Sequence, residues 1–438
     1  MDVQEQLELL RRNIARIDRK FSTGAPRPQP RHEPAFDPEV VDLRPARYQI
    51  EEAMSGEVVE TAEGKHFETV RVYERHRRWG SMDISSMIEL PADLLDSITS
   101  GAIPNTPPER WAFLDTETTG LAGGTGTYAF LIGVGSIDAS GFRIRQFFMR
   151  DYGEEASLLT GLSEYLTRFD VLITYNGKTY DQPLLETRYR MARQKPPFAR
   201  MEHLDLLFGA RRLWKLRCES CRLIDLENQI LGVERQGDLP GELIPYYYFD
   251  FLRRRQALQL VPIFHHNAMD ILSLACLTAV VPFAFRSPED APLRHGADLV
   301  GLARWFEKGE QGEQSLKLLR RAIDLGLPDS ILFRTLWDIG RIEKKIGREA
   351  ASLASFTELA ASRNPYRAAA LREMAKYYEH RERNYSMALE MTRTALGFED
   401  TSEDRRREQR LEDRIKRSRN GKLKTEIRTG RNGKLKPR

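Results

Sequence analysis

The chain is poor in cysteine, with three in 438 residues. That excludes a disulfide framework and fits a reducing compartment, so a cytoplasmic location is expected. Long apolar runs are also missing: no stretch approaches the roughly 18–20 residues that a membrane helix needs. The opening Met1-Asp2-Val3-Gln4-Glu5 is polar and acidic, unlike an export signal. A soluble protein that makes no use of a membrane is therefore expected. Net charge is small at +4, yet it is unevenly spread. Residues 401–438 hold 15 Lys/Arg against 6 Asp/Glu, or +9, which leaves −5 for the rest. The length allows two or three domains with a substantial core.

What the chain does have is a short stretch that organises the rest. In Trp111-Ala112-Phe113-Leu114-Asp115-Thr116-Glu117-Thr118-Thr119-Gly120, four apolar residues run into two carboxylates one residue apart. Side chains two apart in a strand point the same way, so a buried strand would deliver Asp115 and Glu117 to one face. Two carboxylates on one face repel unless a cation lies between them. Hard oxygen donors suit Mg²⁺ or Mn²⁺, and a phosphate-directed site commonly places them at a strand end.

Two further motifs follow. An apolar strand over 171–173 leads into Thr174-Tyr175-Asn176-Gly177-Lys178-Thr179-Tyr180-Asp181, where Asn-Gly turns the chain and Asp181 opens a helix. Later, His265-His266-Asn267-Ala268-Met269-Asp270 opens a helix that continues through Leu277. Asp-x-Glu, then Asn-Gly-x-x-Tyr-Asp, then His before Asp resembles, in order, the three motifs of the DEDD exonucleases with their ribonuclease H-like fold. A finer resemblance covers most of the chain. His203-Leu204-Asp205-Leu206-Leu207, Arg211-Arg212-Leu213-Trp214, Cys221-Arg222-Leu223, Asp238-Leu239-Pro240-Gly241-Glu242 and His266-Asn267 look like the YprB-like ribonuclease H-like family.

The organisation expected is α/β: a ribonuclease H-like mixed sheet flanked by helices, with a β-rich segment before it and a helical repeat domain after it. Residues 1–47 read as an amphipathic helix followed by a proline-rich linker, and 48–108 as a β-rich segment with a hairpin turning at Gly64-Lys65. The nuclease-like domain spans 109–285. Its first and fourth strands are adjacent in the ribonuclease H-like fold, which would bring Asp115 beside Asp181. Over 299–397 the chain becomes helical, with Gly312, Gly347 and Asn384 ending successive helices at intervals of 35 and 37. That spacing lies close to the ~34-residue period of tetratricopeptide repeats. Residues 401–438 read as a basic tail without an apolar stripe, expected to be disordered.

The resemblance implies a two-metal phosphodiesterase. Asp115, Glu117, Asp181 and Asp270 would hold Mg²⁺ or Mn²⁺, and a histidine would act as base toward the attacking water. Two histidines compete for that role. His266 lies four residues before Asp270, nearly on one helical face with it; His265 lies five before and suits a non-helical lead-in. His203 and Asp205 are secondary candidates, although an Asp near a helix start often only caps it. The function expected is 3′-to-5′ exonuclease action on DNA or RNA with a free 3′ end, with a protein partner accommodated by the repeat region. The alternatives are a non-catalytic ribonuclease H-like scaffold and an internally cutting ribonuclease H.

Overall fold

The computed structural model describes residues 49–438, except 100, 104, 121–124, 236, 292 and 432–438, with side chains described as far as 417. The helix and linker expected over 1–47 lie outside the described residues, as do Gly123 and Gly124. Residues Arg47–Arg438 form one compact unit.

The expected hairpin forms from Glu57–Thr61 (β1) and Gly64–Glu74 (β2), turning at Gly64 with φ +121°. A two-stranded ribbon, Arg78–Trp79 (β3) with Met82–Asp83 (β4), follows. Trp111–Thr118 (β5), Ala129–Asp138 (β6) and Gly141–Phe148 (β7) then form an antiparallel run, β5 with β6 and β6 with β7. The chain continues through Glu155–Leu166 (α1), Val171–Thr174 (β8), Asp181–Met191 (α2), Glu202–Asp205 (β9) and Leu206–Trp214 (α3). Ile244–Arg254 (α4) and Val261–Arg286 (α5) complete the domain.

One seven-stranded mixed sheet results, in the order β1-β2-β7-β6-β5-β8-β9. β8 lies parallel to β5, and β9 parallel to β8. The first and fourth strands of the domain are thus neighbours, as a ribonuclease H-like fold requires. The β1–β2 hairpin pairs with β7 and extends the same sheet.

Strand alternation sorts the core into two layers. Trp111 and Phe113 pack with α3 and α5 on one face, while Ala112 and Leu114 pack with α1, α2 and α4 on the other. The central helix α5 is apolar on nearly every side because protein surrounds it. By length and composition it could cross a membrane, which corrects the expectation that no run is long enough; its burial marks it as a core helix. α5 approaches the sheet closely over glycines. At Gly133, opposite Asp115 in the β5–β6 register, a Cβ would overlap Asn267 Oδ1 and Ile271 Cδ1.

Beyond the sheet domain the chain is helical. Gly296–Lys308 (α6) with Gly312–Asp324 (α7), Asp329–Lys345 (α8) with Glu349–Ala361 (α9), and Arg367–His380 (α10) with Tyr385–Leu396 (α11) form three packed pairs. Two of the pairs share a bond: Ser315 Oγ donates to Ala303 O at 2.9 Å, and Ser352 Oγ to Gly340 O at 2.8 Å. The first pair docks on the sheet domain, where Arg217 Nε donates to buried Asp298 at 2.9 Å and a Cβ at Gly301 would strike Arg212 O.

The expectation of a disordered tail is corrected over residues 402–431, while 432–438 lie outside the described residues. Ser402–Arg431 (α12) is a helix that packs on α11, burying Asp404, Arg407 and Leu411. Its Arg410 and Arg414 donate to the buried carboxylate of Glu379 on α10. A composition dominated by arginine hid this, because several of those arginines serve as partners for one buried acid.

Gly133→Ala should force α5 off the sheet. Overpacking of this kind costs about 1–3 kcal/mol, readable as a lower urea midpoint with an unchanged slope. A variant as stable as the parent would show that the close approach is not a constraint.

Candidate active site

Asp115 and Glu117 lie on β5 and share the face turned toward α5, whose Asp270 stands one turn after His266. Asp181 opens α2, which packs on the other face of the sheet. Thr116 Oγ1 donates to Asp181 Oδ1 at 2.6 Å. Asn267 Nδ2 donates to Asp115 Oδ2 at 2.9 Å. Asp115 and Glu117 each lie within electrostatic reach of both Asp181 and Asp270.

The turn that delivers Asp181 is held from below. Asn176 sits at φ +68°, a left-handed conformation that asparagine tolerates. Its N–H donates to Asp205 Oδ1 at 2.8 Å, that of Lys178 to Asp205 Oδ2 at 3.2 Å, and that of Leu207 to Asp205 Oδ1 at 3.1 Å. Asp205 therefore caps α3 and ties the β8 turn to β9. His203 bonds Thr174 Oγ1 at 2.8 Å and Gln182 Oε1 at 2.5 Å; burial, helped by Lys178, pulls its pKa down to about 4.

Burial raises the acids, and their neighbours raise them further. Asp115 is pushed well above the ordinary carboxylate range by burial and then by Asp270, Glu117 and Asp181. Glu117, 8% exposed, is pushed up to about 8 by burial; His266 opposes this and Asp270 and Asp181 add to it. Asp181 rises to about 6 through burial, against the bond from Thr116. For His266, the carboxylates of Asp270, Glu117 and Asp238 more than offset the opposing effect of burial, leaving it above its ordinary value.

His265 and His266 lie inside α5 rather than in a non-helical lead-in. His266 is half-buried and faces the acids, with Nε2 3.6 Å from Asp270 Oδ2. His265 is exposed.

Sequence reasoning missed the cation beside this group. Arg235, on the loop before Asp238, ion-pairs with Asp270, Glu227 and Asp238 while its side chain is only 5% exposed. A single arginine in a loop gives no periodic signal. Arg188 is also buried: it forms two bonds to Glu155 and lies 3.7 Å from the centroid of the Tyr128 ring.

The donor set suits a hard divalent cation: four carboxylates, three of them raised by burial and mutual repulsion, gain from a positive charge among them. Among the described residues, no three His, Cys, Asp or Glu stand together in a group that would hold an ion as placed. Asp115, Asp181 and Asp270 instead each face a local partner, Asn267, Thr116 and Arg235 respectively. A cleft of about 520 Å³ adjoins Asp181 and is lined by Thr116, Thr118, Thr127, Thr179 and Leu184. A cavity of similar volume among Lys344, Phe356, Lys376, Tyr377 and Arg407 lies in the helical region, away from these acids.

A family model for the RNase_H superfamily matches residues 112–281, from β5 into α5. Over 288 residues the chain is 34% identical to the uncharacterized protein YprB of Bacillus subtilis (strain 168), covering 65% of this chain and 68% of YprB. The chain belongs to the RNase H superfamily, in the family of YprB. That superfamily includes metal-dependent nucleases. A solved family B DNA polymerase from the hyperthermophilic archaeon Pyrobaculum calidifontis aligns with 56% of this chain and 34% of its own, at 14% identity and a TM-score of 0.32.

In this RNase H superfamily member the raised acids tie stability to pH. The folded chain holds protons on Glu117 and Asp181 up to about 8 and about 6, above the range in which an unfolded chain holds them. Stability contributed by these groups is therefore present at low pH and lost as pH rises from about 4 to 8. Glu117→Gln should raise the melting midpoint at pH 8 without divalent ions, and less so at pH 5. A midpoint that is unchanged or lower at pH 8 would reject the repulsion.

Proposed function

We propose that the protein is a metal-dependent nuclease that hydrolyses phosphodiester bonds of DNA or RNA as a 3′-to-5′ exonuclease. The observation that carries this reading is that Asp115 and Glu117, on one face of β5, each feel the charges of both Asp181 and Asp270 from two further segments of a ribonuclease H-like domain, with His266 Nε2 3.6 Å from Asp270. Asp115, Glu117, Asp181 and Asp270 would hold Mg²⁺ or Mn²⁺. Such cations activate a water and stabilise the leaving oxygen of an in-line displacement.

The remaining work falls to the chain. His266 Nε2, turned toward the acids, takes the proton of the attacking water, a role that contributes about 10²–10⁴-fold. Thr116 and Asn267 aim Asp181 and Asp115, and Asp205 holds the turn from which Asp181 starts. The threonine-lined cleft beside Asp181 offers hydroxyls to a nucleotide. A second reading, a non-catalytic scaffold whose helical pairs bind a protein partner, is favoured by the engagement of Asp270 with Arg235.

End-labelled oligonucleotides incubated with Mg²⁺ or Mn²⁺ separate these readings. The parent should give a ladder shortening from the 3′ end, Asp115→Asn none, and His266→Ala about 10²-fold less than the parent, while His265→Ala stays within a few-fold. Parent activity equal to that of Asp115→Asn on every DNA and RNA strand would favour the scaffold. Internal fragments would favour a ribonuclease H cut.

The basic C-terminal residues are proposed to add sequence-independent affinity through counterion release. Because α12 packs through Leu411 and Arg414, the informative truncation follows Arg417. It should weaken binding and flatten its salt dependence while leaving turnover at saturating substrate unchanged; identical binding with and without 418–438 would remove the tail from the interface.

A further inference from the structure

The loop between Leu231 and Pro240 carries the Asp-Leu-Pro-Gly-Glu motif, and the function described above gives it no task. Its Asp238 nevertheless makes the closest polar contact of His266: Nδ1 stands 2.9 Å from Oδ1 and 3.0 Å from Oδ2. Both oxygens of Asp238 are fixed in turn. Arg235 Nη1 donates to Oδ2 at 3.1 Å, and the Leu239 N–H donates to Oδ1 at 2.9 Å. Gly237, at φ +72°, supplies the left-handed turn that places Asp238 three residues after Arg235. Arg235 is itself immobilised, since its Nε donates to buried Glu227 at 2.7 Å and its Nη2 pairs with Glu227 and Asp270. One guanidinium thus links Asp270, Asp238 and Glu227, a fork that an ammonium does not reproduce.

We propose that Asp238 is a positioning residue for His266: it fixes the ring's proton on Nδ1 and turns the Nε2 lone pair toward Asp270 and Glu117, with Arg235 as the rigid mount that holds Asp238 and Asp270 in register.

The chemistry follows from the donor inventory. An ionised carboxylate only accepts, so the imidazole nitrogen within hydrogen-bond distance of one carries the proton; that nitrogen is Nδ1, 2.9 Å from Asp238, whereas Asp270 stands 3.6 Å from Nε2, beyond a hydrogen bond. In a neutral ring the other nitrogen is then the acceptor, and the partner of one nitrogen decides what the other can do. Asp238 reaches His266 from a loop, outside both the sheet and α5, so it orients the ring without joining the acids on β5 and α2. Exposure is low along the whole relay, at 5% for the Arg235 side chain, 12% for Asp238 and 14% for His266. A solvated surface ion pair would show neither this burial nor two restrained oxygens. The arrangement has the logic of a base oriented by a buried carboxylate, where loss of the orienting group leaves the ring present but wrongly protonated.

The inference rests on the nuclease reading for its consequence in catalysis, whereas the ring's protonation can be measured without turnover. ¹⁵N spectra of imidazole-labelled protein, recorded at a pH high enough for the ring to be neutral, report which nitrogen of His266 carries the proton, with His266→Ala identifying its signals. The expected pattern is protonated Nδ1 and bare Nε2 in the parent, converted to a mixture or to the opposite tautomer in Asp238→Ala. A proton on Nε2 in the parent, or a pattern untouched by Asp238→Ala, overturns the proposal.

Kinetics supply the second arm. Asp238→Ala should lower kcat by about tenfold or more, within the range of a misplaced general base, with KM changed by less than about threefold. The double variant His266→Ala/Asp238→Ala should be no slower than His266→Ala alone, because Asp238 acts only through that ring. Losses that multiply in the double variant would assign Asp238 a merely structural role and overturn the inference. Should Asp238→Ala fail to fold, Asp238→Asn keeps the volume and takes its place in both arms. A parent without nuclease activity sinks the nuclease reading and leaves the tautomer result standing on its own; an active parent matched by Asp238→Ala sinks the inference alone.

Discussion

Repulsion among buried acids is the constraint on which the rest of this structure depends. Asp115, Glu117 and Asp181 are held where burial and proximity make ionisation unfavourable, and the fold must impose that placement. It does so with rigid parts. β5 is flanked by β6 and β8 in the middle of a seven-stranded sheet, and α5 is locked against it through the bare backbone of Gly133. The surrounding core carries the cost, as expected where local strain serves a site.

Around the acids lies a ring of hydrogen-bonding residues with distinct tasks. Asn267 and Thr116 each hold one carboxylate, Asp205 holds a turn, and Asp238 faces the imidazole. Arg235 is the only one of these that brings positive charge. Its pairing with Asp270 satisfies that acid in the arrangement described here, and three surrounding carboxylates keep the guanidinium fully protonated.

Much of the fold was legible because it is written in local patterns. Four apolar residues ending in Asp-x-Glu mark β5, and Val171–Thr174 is the strand expected from three apolar residues before an Asn-Gly turn. Gly312, Gly347 and Asn384, expected to end one helix and precede another, fall at the breaks before α7, α9 and α11, because glycine and asparagine suit helix boundaries. What escaped depends on tertiary partners. β9 is four residues long and gains its identity from pairing with β8. The β1–β2 hairpin was legible, but its pairing with β7 was not. For the site, the spacing of His266 and Asp270 could be read from helical geometry, whereas the contacts of Arg235 and Asp238 arise from a loop folding back over α5. The tail misled for a related reason: arginines that neutralise Glu379 look, in composition alone, like arginines facing water.

The bond from Asn267 to Asp115 joins residues 152 positions apart. Synthesis delivers the acidic end of β5 long before the helix that completes it. At about 5–20 residues per second, that gap is on the order of ten to thirty seconds. Through that interval the emerging chain carries Asp115 and Glu117 as ordinary hydrated carboxylates, without Asn267, His266 or Asp270 beside them. The acidic centre can therefore be complete only after α5 has been made and packs onto the sheet over Gly133.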